Sequence, residues 1–117
     1  MLFRVNLPYS GLFRLLESNK GTHHDYFVYI LTDKGRATLY IGVTNDLPTR
    51  LWQHRNPEKS SFSQRYHCIL LMYCERYGDV RDAIAREKQL KGWRRAKKIA
   101  LIEAENPRWE DLSADWL

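Results

Sequence analysis

The chain has 117 residues and a mass of 14.0 kDa, with 44% hydrophobic residues, 28% charged residues and a net charge of +5. That length suits one domain with a modest core, and the balance excludes wholesale disorder and collagen-like repetition. The longest purely apolar run, Ile69 to Cys74, is six residues and too short to cross a bilayer; the first twenty residues hold no continuous apolar segment, so neither a membrane span nor a cleaved secretory signal is expected.

Met1 to His24 carries Pro8, Gly11 and Gly21 and ends in a polar string. Leu12 to Leu16 offers one or two helical turns at most, so residues 1–24 read as an appendage and the domain as 25–117. Tyr26 to Leu31 is aromatic and β-branched, a strand, and Thr38 to Val43 is a second, joined to it through Asp33-Lys34-Gly35. If Lys34-Gly35 is a two-residue hairpin turn, Tyr29 stands directly opposite Tyr40. Asn45 or Asp46 caps a helix with Pro48 in its first turn, running to His54 or Arg55. Pro57 to Ser63 is a polar loop, and His67 to Arg76 is a long third strand. Asp79 caps a helix to Lys91, Gly92 interrupts, and a last helix runs from Trp93 to Glu105, where Asn106-Pro107 ends it. The tail is expected to pack back through Trp109, Leu112 and Trp116. The order β-β-α-β-α-α predicts a small α/β (α+β) domain, a three-stranded antiparallel sheet flanked by helices.

Cys68 and Cys74 sit six apart in one extended stretch, too far for a disulfide, and read as two buried thiols of a cytoplasmic protein. No CxxC, paired histidine spacing or glycine-rich phosphate loop occurs, which removes zinc fingers, P-loops and dinucleotide folds. Residues 81–100 hold Arg81, Arg86, Lys88, Lys91, Arg94, Arg95, Lys97 and Lys98 against Asp82 and Glu87, so these twenty residues alone exceed the chain's net charge of +5. Such a stripe fits a polyanionic partner or a merely solvated helical face.

Single residues are less decisive. Arg50 and His54 lie four apart on one helical face beside Leu47 and Leu51. Glu87 falls within the apolar stripe Val80, Ala83, Ile84, Leu90, where a carboxylate must be paired (Arg50 is one partner), metal-bound or shifted in pKa. Asn106 taken alone is a helix terminator.

Taken in order, however, Phe27-Val28-Tyr29, ten residues, and Tyr40-Ile41-Gly42 resemble the two-part signature of the GIY-YIG nuclease superfamily. Arg50, His54, Glu87 and Asn106 fill that family's later positions, and the segments TNDLPTRLWQH and REKQLKGWRR look most like its small, single-domain bacterial members. Phe27 replaces the first glycine, and the likeness covers roughly residues 26–112. The resemblance implies a metal-dependent DNA endonuclease, structure-selective or weakly sequence-specific, serving repair or recombination. In it Glu87 is the protein ligand of Mg2+ (or Mn2+) and Arg50 clamps the scissile phosphate. Tyr29 and Tyr40 position and deprotonate the attacking water, His54 assists them or serves the leaving oxygen, and Asn106 braces the site. Arg86, Lys88, Lys91, Arg94, Arg95, Lys97 and Lys98 contact nucleic acid. DNA is the expected partner of a monomer or weak dimer, with a protein partner open. The alternative is a nucleic-acid-binding module that turns over poorly or not at all. A third reading, a protein-interaction module built on the tryptophan-rich tail, would show no DNA affinity.

Overall fold

Phe27, Val28, Tyr29, Ile30 and Leu31 are all buried, so this stretch must be a strand covered on both faces, and it forms the centre of β2 (Tyr26–Thr32). The computed structural model describes residues 2–4, 25–56 and 67–116; the helical turn read at Leu12 to Leu16 and the loop from Pro57 to Ser63 lie outside them. β2 pairs antiparallel with β3 (Leu39–Thr44) on one side and with β4 (Leu70–Tyr77) on the other. This is the expected three-stranded antiparallel sheet. A short β1 (Leu2–Arg4) adds to the outer side of β4, giving the order β1-β4-β2-β3 and tying the first residues of the N-terminal segment to the domain. The helices are α1 (Leu47–Arg55), α2 (Val80–Lys91) and α3 (Arg95–Glu105), which completes the β-β-α-β-α-α order. Among the described residues no helix is long and apolar enough to cross a membrane.

Alternation along β2 divides the core in two. Phe27, Tyr29 and Leu31 pack with Leu47 and Leu51 of α1 and with Trp116 of the tail. Val28 and Ile30 face the other way, toward Ala83 and Leu90 of α2 and Leu101 and Ile102 of α3. In β4 the alternation slips, with Leu71 and Cys74 on the α1 face and the adjacent Met72 and Tyr73 on the α2 face. A bulge opposite Ile30 and Leu31 admits Met72 as an extra residue and resets the pattern. Backbone groups around it are bonded by the chain's end: Asp111 accepts from Leu71 N, while Leu112 N and Asn106 Nδ2 donate to the carbonyls of Leu71 and Met72.

The hairpin departs from expectation. Its loop spans Asp33 to Thr38, where Asp33 Oδ1 accepts from the amides of Ala37 and Thr38, both at 2.8 Å, and Arg36 adopts a left-handed φ of 59°. The longer loop moves the register by two, so Tyr29 opposes Gly42, and Tyr40 opposes Leu31. A shift of two preserves the face, and both tyrosines still point toward α1. Two boundaries also move: His67 has φ 57° and the third strand begins at Leu70, while the last helix begins at Arg95. Cys68 and Cys74 are buried free thiols, pushed by burial up to about 11 and about 12.

Candidate active site

α1 is started by Asp46, whose carboxylate accepts from the amide of Thr49 at 3.3 Å and from its hydroxyl at 2.8 Å, with Pro48 in the first turn. Leu47 and Leu51 face the sheet, which fixes the helix's rotation and brings His54 down onto the rings of β2 and β3. His54 Nε2 lies 2.9 Å from Tyr29 Oη. The ring of Tyr40 stands edge-on to His54 at 4.9 Å and 6.3 Å from that of Tyr29. Gly42 makes this possible: a Cβ there would fall 2.5 Å from Tyr29 Oη and 2.6 Å from Cζ. The phenol therefore lies across the bare backbone of β3.

Electrostatics set the protonation of the pair. Burial, then the neighbouring Tyr40, raises the Tyr29 pKa; Arg50 pulls it down, Glu87 adds a further increase, and the net shift is strongly upward. Tyr29 therefore keeps its proton. His54 is pushed down to about 4, first by burial and then by the charges of Arg50 and Arg55, so it is neutral at physiological pH. A protonated phenol thus meets a neutral imidazole, and the hydroxyl can donate to Nε2. The unaided phenol therefore holds its proton, with His54 hydrogen-bonded to it.

Glu87 comes from α2, across the sheet from α1, yet its charge reaches Tyr29. Its surroundings differ from the predicted stripe. Ala83 and Leu90 are buried, but Val80 and Ile84 are 39% and 36% exposed, so Glu87 sits on the line from Ala83 to Leu90 with its side chain 16% exposed. Its ion-pair partner is Lys91 at 3.1 Å, one helical turn on, in place of Arg50. Arg50 is exposed, and its charge acts on both Tyr29 and His54. Tyr29, Tyr40 and His54 are thus in direct contact, and the charges of Arg50 and Glu87 act on the Tyr29 hydroxyl.

Asn106 makes its hydrogen bonds elsewhere. It is buried at the end of α3, donates to the carbonyls of Met72 (3.0 Å) and Glu110 (2.9 Å), and accepts from Glu110 N. Its bracing serves the tail and the bulge of β4.

Members of the basic stripe have different positions. Arg86 turns inward, Arg95 donates to the carbonyl of Arg36 at 2.6 Å, and Lys97 lies over the ring of Trp93 at 4.2 Å. Lys88 and Arg94 are exposed. Arg86 reveals a residue that the sequence reading passed over. Glu75 is fully buried on β4, receiving hydrogen bonds from Tyr73, from Tyr77 at 2.7 Å, and from Arg86 Nε and Nη2, both at 2.9 Å. Burial alone would raise its pKa, but the bonds from Arg86, Tyr73 and Tyr77 together hold it below the usual carboxylate value. The signal was present: Glu75 has a tyrosine two residues away on either side, and a strand puts all three on one face.

Comparison with known proteins agrees with this architecture. Residues 25–100 match the family model of the GIY-YIG catalytic domain. A UPF0213 protein of Bacillus pumilus is 32% identical over 80 residues, 68% of this chain and 81% of the relative. One from Clostridium perfringens is 32% identical over 89 residues, 76% of this chain and 95% of the relative. The solution structure of the UPF0213 protein BH0048 from Bacillus halodurans shares the fold, with a TM-score of 0.50 at 22% identity over 79% of this chain and 97% of that one. With the matched region running from β2 into α3 and holding Tyr29, Tyr40, Arg50, His54 and Glu87, the chain belongs to the GIY-YIG catalytic-domain family, a nuclease fold.

Proposed function

We propose that this protein is an endonuclease that hydrolyses phosphodiester bonds in DNA with the help of a divalent cation, Mg2+ or Mn2+, held at Glu87. The observation that carries this reading is the contact of Tyr29, Tyr40 and His54, with the charges of Arg50 and Glu87 acting on the Tyr29 hydroxyl. Among the described residues no group of three His, Cys, Asp or Glu side chains could hold a metal on its own. A single partly exposed carboxylate fits Mg2+, which keeps several waters and is often bound by one carboxylate together with substrate phosphates. Lewis-acid stabilisation of the phosphate oxygens is what such a cation supplies when bound.

The chain's own residues would do the rest. Arg50 presents its planar fork to the scissile phosphate. Tyr29 Oη passes its proton to Nε2 of His54 while accepting one from the attacking water, and Tyr40 lines the same space. A phosphate on Arg50 offsets one of the charges that hold His54 down, so substrate binding itself makes His54 a better base.

The test is cleavage of supercoiled, linear, single-stranded and branched DNA with Mg2+ or Mn2+, with Glu87→Ala alongside. Metal-dependent nicking that falls by about 10²- to 10³-fold or more in the variant is expected, with the fold retained. Salt-sensitive binding without cleavage would instead make the protein a binding module, and equal cleavage by the variant would remove Glu87 from the site.

A further inference from the structure

Beside the candidate site lies a cleft of about 310 Å3, walled by Leu39, Tyr40 and Ile41 of β3, Lys91 of α2 and Lys98 of α3. β3 is the outermost strand on this side among the described residues, so the cleft opens along a sheet edge. It shares two groups with the site. Tyr40 forms its wall and also meets the ring of His54, and Lys91 enters it while pairing with Glu87. Among the described residues no carboxylate pairs with Lys98. Two lysines from different helices therefore line one concave space next to the proposed reacting centre.

We propose that this cleft is a second phosphate subsite, taking a backbone phosphate that flanks the scissile one; the assignment rests on the nuclease reading above. Lysine suits this task because a point charge needs no fixed angle of approach and reads no base. Within the stripe Arg86 is engaged on Glu75, Arg95 on the Arg36 carbonyl and Lys97 on Trp93, while the exposed Lys88 and Arg94 do not line the cleft. An i,i+4 pair with an exposed lysine, as Glu87–Lys91 is, is weak enough to be surrendered. A phosphate entering the cleft draws Lys91 away and leaves the Glu87 carboxylate open to a cation. Occupation of the cleft and completion of the proposed metal site are then one event.

The experiment uses the full chain without divalent metal, so that nothing is cut, and a short DNA oligonucleotide as the probe. Side-chain NMR of the lysines is followed through the titration, with salt-dependent binding measured for the wild type, Lys98→Met and Lys91→Met. The resonances of Lys91 and Lys98 should move together and saturate with the oligonucleotide. Each substitution should reduce the log–log salt slope by about one. Saturable binding that leaves both resonances in place, unchanged salt slopes in the two variants, or no binding at all would overturn the subsite. The readout needs no turnover, so its outcome separates from that of the cleavage assay. Shifted lysines in a protein that never cuts would leave the subsite standing and overturn the nuclease reading.

Discussion

Two carboxylates, one on β4 and one on α2, show how burial and availability diverge. Glu75 is the more deeply buried, with no exposure, and its oxygens are occupied by a guanidinium and two phenols. Glu87 retains a partly open side chain and, among the described residues, a single surface partner, Lys91. A buried charge with every lone pair satisfied holds a fold together and has nothing left to offer a substrate. A half-buried charge with one weak partner can change partners.

Glu87→Ala is the first way to sharpen this contrast. It should remove the cleavage proposed above while leaving the urea midpoint nearly unchanged, since an i,i+4 pair with an exposed lysine contributes roughly 0.3–0.5 kcal/mol. Glu75→Ala should do the reverse and act on stability first. It strands the Arg86 guanidinium and two tyrosine hydroxyls inside, at a cost of about 3–5 kcal/mol, visible as a large fall in the urea midpoint. A Glu75 variant as stable as the wild type would mean that the network is not the clamp between β4 and α2.

His54 gives the next test, through pH. Its folded pKa, about 4, lies below the ordinary value of 6.5, so between those limits the unfolded chain binds more protons than the folded one. The neutral form's contribution is complete above pH 6.5 and is lost as pH falls toward 4. The full loss is about 3 kcal/mol, most of it above pH 4.5. Urea unfolding at pH 7, 6, 5 and 4.5 should show stability declining in the wild type and a flatter profile in His54→Asn. Matching profiles would mean that His54 is not held neutral by burial and its two arginine neighbours.

The elements were legible where local chemistry is strong. Asp46 and Asp79 announce their helices through short side chains that accept from the first turn, and the run Phe27 to Leu31 has the composition of a central strand. Arg50 and His54 could be placed on one face because helical spacing alone does that. The tyrosine register was less accessible, since it depends on how Asp33 folds the loop through two amide bonds and on a left-handed Arg36. Glu87 was singled out for a stripe that includes Val80 and Ile84, yet both face solvent; its position came from a repeat that the tertiary packing uses only at Ala83 and Leu90. Glu75 escaped because its partner Arg86 is eleven residues away on another element, and its tyrosines read as apolar bulk.

Gly42 carries the smallest and most specific of these expectations. The glycine's φ is not what matters; the space above it is. Tyr29 is buried and hydrogen-bonded to His54, and its ring occupies the volume that a Cβ at position 42 would need. The intruding methyl would meet the tip of the ring, near Oη and Cζ, so relief must come from rotating the whole phenol. In Gly42→Ala the cost should be about 1–3 kcal/mol, as for other overpacked cores. That rotation would also break the 2.9 Å bond to His54, so cleavage should fall by more than the stability loss accounts for. Tyr29→Phe in the same background separates the two effects. Phe lacks the hydroxyl but keeps Cζ, 2.6 Å from the same Cβ, so it should restore only a small part of the stability lost by Gly42→Ala and none of the activity. If Gly42→Ala alone cuts as well as the wild type at full stability, the glycine is not what seats the phenol over the sheet edge.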